Sequence, residues 1–109
     1  MTYRTIAEIE AANRAYATAH GREFFFAPGP MHFLATRVYD PVYGGRFFIT
    51  SEQYLASEHA NAQGTKDGPR RFSIRMCDID GSIATIGEFR GYATLEAAER
   101  AAQWLAEED

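Results

Sequence analysis

Seven residues constrain this chain more than any other stretch. From Arg71 to Cys77 the side chains alternate in character, with Phe72, Ile74 and Met76 on one side and Arg71, Ser73, Arg75 and Cys77 on the other. A period of two is the mark of a β-strand with two different faces. Asp78-Ile79-Asp80-Gly81 follows at once, and Asp-Gly is a strong hairpin signal. Ser82 to Phe89 then reads as the returning strand. A fold containing this hairpin must cover the Phe72-Ile74-Met76 side with apolar surface.

The rest of the chain supplies that cover. Thr5-Ile6-Ala7-Glu8 has the form of a capping box, with the Thr5 hydroxyl accepting from the Glu8 amide and the Glu8 carboxylate reaching back. Ile6, Ile9, Ala12, Tyr16 and Ala19 then share a helical stripe, and Gly21 provides a left-handed stop, so a helix is expected over about 6–20. At the other end Thr94 caps a helix whose apolar face is Leu95, Ala98, Ala101, Ala102 and Leu105, ending in an acidic tail expected to fray. Between them, strands are expected over Arg22–Ala27, Met31–Tyr39 and Arg46–Thr50, with Pro28-Gly29-Pro30 breaking the first from the second. Thr50-Ser51-Glu52-Gln53 resembles another N-cap, predicting a short helix over about 52–60 before a polar loop over 62–70. The order α-β-β-β-(α)-β-β-α is that of an α+β fold. It predicts a mostly antiparallel sheet of about five strands, with the N-terminal and C-terminal helices on one face.

A chain of 109 residues carries one domain, 1–109. Its apolar runs, such as Phe24-Phe25-Phe26-Ala27, fall far short of the ~20 residues of a membrane span. Arg4, Glu8, Glu10 and Arg14 interrupt any leader-like segment, and a single cysteine, Cys77, suits a reducing compartment. A cytoplasmic protein that does not meet the membrane is expected. Eleven Lys and Arg against fifteen Asp and Glu leave a net charge of −4, which does not favour a duplex-binding surface.

No chemical motif survives a check of spacing. His20, His32 and His59 form no i, i+4 pair, and no HExxH is present. If Asp78 opened a calcium loop, the turn glycine and the bidentate glutamate would fall at Ile83 and Phe89. Tyr43-Gly44-Gly45-Arg46 lacks the GK[ST] and the following helix of a phosphate loop. Ser51, Ser57, Ser73 and Ser82 lack a G-x-S-x-G elbow, and Cys77 has no adjacent base. The expectation is a protein that is not an enzyme and holds no cofactor or metal.

Two features rise above this background. Arg70, Arg71, Arg75 and Arg90 can share the outward side of the last hairpin, where Arg75→Ala is expected to change stability by no more than about 0.5 kcal/mol. Neighbouring aromatics, as in Phe24-Phe25-Phe26 and Phe47-Phe48, must also point to both sheet faces. Either both faces are covered or one aromatic patch meets a partner. Tyr39, Tyr43 and Tyr54 suit contact with a partner. With Arg46, Arg71, Arg75 and Arg90 they make up the candidate partner-binding set.

Two resemblances follow from these residues. Ile86-Gly87-Glu88-Phe89 and Tyr92-Ala93-Thr94-Leu95-Glu96-Ala97-Ala98, within 71–102, resemble the strand-and-helix unit of integrase arm-type DNA-binding domains. The resemblance implies DNA contact through Arg71, Arg75 and Arg90, whereas Asp78, Asp80 and Glu88 depart from the pattern. The whole chain, through Tyr43–Glu52 and Gly87–Thr94, is similar to small phage and mobile-element proteins that inhibit host defence, anti-CRISPR proteins among them. That resemblance implies a non-enzymatic protein that binds a host protein or protein–nucleic acid complex. The alternative is a small nucleic-acid-binding module using the arginine face.

Overall fold

The computed structural model describes residues 2–54 and 68–108. Helix α1 spans Ile6–His20, α2 Pro28–Phe33 and α3 Leu95–Glu108; strands are β1 Arg37–Val38, β2 Phe47–Gln53, β3 Arg70–Cys77 and β4 Ile83–Ile86. The strands form one antiparallel sheet in the order β1-β2-β3-β4, so the α+β class with helices at both ends holds. Among the described residues the sheet has four strands rather than about five.

The missing strand is the aromatic segment. Residues 22–27 form no ladder. The rings of Phe24, Phe25 and Phe26 pack on one another, and the Phe25 amide donates to Asn13 Oδ1 at 2.8 Å. Pro28 does not break a strand here; it opens α2. A proline in the first helical turn lacks an N–H that would find no partner anyway, and its fixed φ suits a helix. The expected strand over 31–39 therefore shrinks to the two residues of β1. At the next junction Thr50 to Gln53 continue β2 instead of capping a helix. The remainder of that expected helix, and most of the polar loop, lie outside the described residues. Gly87, at φ +74°, ends β4 at Ile86, short of Phe89.

The end helices form as expected. Thr5 Oγ1 accepts from the Glu8 amide at 3.2 Å, and Gly21 closes α1 at φ +62°. The return half of the capping box shifts by one residue: Glu8 Oε1 accepts from the Arg4 amide, at 2.6 Å, rather than from Thr5. Thr94 Oγ1 caps α3 through the Ala97 amide, and α3 continues to Glu108 rather than ending early.

The two helices do not share a face. Phe47, Ile49, Ile74, Ala98 and Ala102 are buried together, with Phe72, Met76, Leu95 and Leu105 packed around them, which places α3 on the Phe72-Ile74-Met76 side. Phe48 and Cys77 are buried with Tyr3 and Ile9 on the other side, beside Phe25 and Phe26, so α1 and the aromatic segment cover it. Successive residues Phe47 and Phe48 force this arrangement, because they point to opposite faces and each needs cover.

The α1 side has a polar clasp. Asn13 is buried, and its Nδ2 donates to Gly81 O at 2.9 Å. Gly81 stands at φ +93°, and a Cβ there would run into the carbonyl oxygen of Ala12. Tyr3 adds a second tie, its hydroxyl donating to Asp78 O at 2.7 Å. Burial of the ring, with the Cys77 thiol beside it, pushes the Tyr3 phenol up from 10.0 to about 12. The unfolded chain ionises this phenol first, so the stability it supports is complete below pH 10 and is lost as pH rises towards 12. Urea denaturation across that window is expected to show a loss that Tyr3→Phe reduces. An unchanged pH dependence in Tyr3→Phe would count against it.

Candidate functional site

The side of β2 and β3 facing α1 is apolar at one end and polar at the other. Alternation puts Phe48, Thr50 and Glu52 of β2 beside Ser73 and Arg75 of β3, with Thr50 opposite Ser73, Phe48 opposite Arg75, and Thr85 of β4 opposite Arg75. Glu52 is only 1% exposed. Its Oε2 accepts from Arg75 Nη2 at 2.8 Å and from Thr50 Oγ1 at 2.6 Å, while its Oε1 accepts from Ser73 Oγ at 2.8 Å. Arg75 completes the network, Nε donating to Thr50 Oγ1 at 3.0 Å and Nη1 to Thr85 Oγ1 at 2.6 Å. A buried carboxylate is tolerated only with such compensation.

The guanidinium of Arg75 also lies between two rings, 5.2 Å from the centroid of Phe25 and 5.3 Å from that of Phe89. Both contacts are of cation–π type. Beside this pair opens a cleft of about 210 Å³, with Glu52 and Arg75 in its lining. Phe25 of the aromatic segment, Pro30 and Met31 of α2 and its C-cap Leu34 supply apolar walls. Glu23 and Thr36 add a carboxylate and a hydroxyl. Glu23 and Phe25 also line a second hollow of about 230 Å³, reached by Asn13, Tyr16 and Arg22.

The expected outward arginine face is different in the structure. Ser73 is fully buried, and the Arg75 side chain is 12% exposed and ion-paired, so neither faces solvent as expected. Side-chain alternation was read correctly, but the face it defines is covered by α1, α2 and the phenylalanines. Arg70 belongs to the opposite face, donating to Ala35 O and Ser51 Oγ. Arg71 Nε donates to Arg90 O at 2.7 Å. Arg90, held at φ +58°, donates its amide to Ser73 Oγ and its Nη2 to Pro69 O, and its guanidinium lies 4.2 Å from the Tyr54 ring centroid. Each of these arginines ties backbone or core groups together.

Of the seven candidate residues, Arg71, Arg75, Arg90 and Tyr54 gather around Glu52. Tyr39, Tyr43 and Arg46 do not join them. Tyr39 packs on Phe72 in the α3-side core and shares a hydrogen bond of 3.1 Å with Ser51 Oγ. Tyr43 is packed against the same core, and burial, with Glu99 nearby, raises its phenol. Arg46 lies over the Phe47 ring at 5.6 Å.

Sequence reasoning missed Glu52 and the cleft walls. Glu52 was readable only from register, since a strand through Gln53 sets it across from Arg71 and within reach of Arg75. Burial pushes the Cys77 thiol up, away from the thiolate a nucleophile needs. Among the described residues, no three of His, Cys, Asp and Glu come together as metal ligands, and no helix is long and apolar enough to cross a membrane. His59 lies outside the described residues.

Residues 5–103 match the model of a family of unknown function, DUF7447. No curated protein and no solved structure matches the chain.

Proposed function

We propose, for a chain that belongs to DUF7447, that it is a non-enzymatic interaction protein that docks a partner protein around the cleft beside Glu52 and Arg75. One observation carries this reading: large apolar side chains stand exposed where the cleft residues are. Phe89, 38% exposed, lies against the lining residue Arg75; Phe33, 73% exposed, ends α2, the helix of the lining residues Pro30 and Met31; Tyr54, 45% exposed, lies against Arg90, whose Nε donates to Glu52 O at 3.4 Å. Exposed aromatics around a concave, partly apolar floor are the composition of a protein contact surface. The ionisable pair at the floor supports a binding role too. Glu52 and Arg75 are held by each other and by three hydroxyls, a structural use of groups that acid–base chemistry would need free.

In the phage or mobile-element setting suggested by the sequence resemblance, the partner is a host protein, such as a defence component, and binding blocks or modulates it. The nucleic-acid reading is weaker, because it needs Arg71, Arg75 and Arg90 for phosphates while their guanidinium groups hold internal acceptors or aromatic rings.

Affinity capture from a bacterial lysate tests both. A stoichiometric protein partner is expected, released by Phe33→Ser with Phe89→Ser but retained with Trp104→Ser on α3. Capture of no stoichiometric protein, together with oligonucleotide binding that weakens steeply with salt, would replace this reading with the nucleic-acid one.

A further inference from the structure

We infer that the cleft receives a basic side chain on an apolar stem, a lysine-like group presented by the partner. The inference rests on the interaction reading above and names what that site takes. Glu52 and Arg75 neutralise each other across 2.8 Å, and each nitrogen of Arg75 already donates to Thr50, Thr85 or Glu52. Among the described residues, the charge left in the lining is that of the exposed Glu23, within a chain of net charge −4. An anion would meet Glu23 with no free countercharge among the described lining residues, whereas a cation is attracted.

Phe25, Pro30, Met31 and Leu34 offer the apolar surface along which a methylene stem packs while its charged head stays near Glu23. The Thr36 hydroxyl adds an acceptor for one ammonium hydrogen. A volume of about 210 Å³ is small for a drug-sized ligand and suits a single side chain.

The probe is n-butylammonium, titrated into the isotope-labelled full chain and followed by NMR, with butyrate and 1-butanol as matched controls. Saturable shifts are expected at the Met31 and Leu34 methyls and the Phe25 ring, with butyrate and butanol binding more weakly. Glu23→Gln, at an exposed position that the fold does not depend on, is expected to weaken n-butylammonium about three- to fivefold. Glu96→Gln, which removes the same charge from α3, is expected to leave it unchanged. Absence of shifts, equal binding of butyrate or butanol, or equal weakening by Glu96→Gln would overturn the inference.

Partner capture by Glu23→Gln separates this inference from the reading beneath it. Undiminished capture without n-butylammonium shifts rejects the cleft occupant and leaves the interaction surface. Specific n-butylammonium shifts without any captured partner reject the interaction role and leave the cation site.

Discussion

Arg75→Ala is expected to destabilise the protein by about 3–5 kcal/mol, the scale for breaking a buried ion pair by removing one member. The cost arises mainly at Glu52. With 1% of its surface exposed, that carboxylate would be left buried with only Thr50 and Ser73 to hold it. Thr85 would lose its donor, and the rings of Phe25 and Phe89 the cation between them. Urea denaturation is the measurement, and a loss below about 1 kcal/mol, within the range of exposed pairs, would show the pair to be solvated. Replacing both partners with apolar residues, Glu52→Leu with Arg75→Met, is expected to cost less than Arg75→Ala alone, since no lone buried charge remains.

Phe48→Ala is expected to cost a similar amount, about 3–5 kcal/mol, as for other buried aromatic truncations. Phe48 is fully buried, with its ring centroid 6.1 Å from those of both Phe25 and Phe26. It is the post around which the aromatic segment turns. Its loss leaves a void among Ile9, Tyr3 and the phenylalanines, and it loosens Phe25, a wall of the cleft. In a thermal melt, each kcal/mol shifts the midpoint of a domain this size by roughly 4–8 °C, so a fall of well over 10 °C is expected. Phe33→Ala, at a side chain 73% exposed, is the comparison and should leave the midpoint nearly unchanged. Similar effects of the two variants would mean that Phe48 is not the packed centre of this face.

Local rules were readable wherever a short stretch of chain decides the outcome. Thr5 and Thr94 cap their helices, Gly21 stops α1, and Asp78 to Gly81 turns the hairpin, because each depends on contacts within a few residues. The alternation from Phe72 to Met76 also identified the α3 side of the core correctly. What could not be read was set by distant partners. Phe24-Phe25-Phe26 has the composition of a strand, yet ring packing on Phe48 and the bond to Asn13 take the place of a ladder. Thr50-Ser51-Glu52-Gln53 has the letters of a helix cap, yet pairing with Arg70 to Ser73 draws it into β2. Arg75 was placed on the correct side of its strand and assigned the wrong environment, because nothing near it in sequence tells that α1, α2 and three phenylalanines cover that side.

The clasp between α1 and the hairpin has a consequence for the order of assembly. Asn13 meets Gly81 across 68 positions of chain, and Tyr3 meets Asp78 across 75. Contacts so remote form only after a long loop has closed, whereas β3, its turn and β4 are neighbours in sequence. Helix α1 is therefore expected to dock last and leave first, and its amides to exchange with solvent through a smaller opening than those of β3. Exchange of both sets at one common free energy would instead make the helix and the hairpin a single cooperative unit.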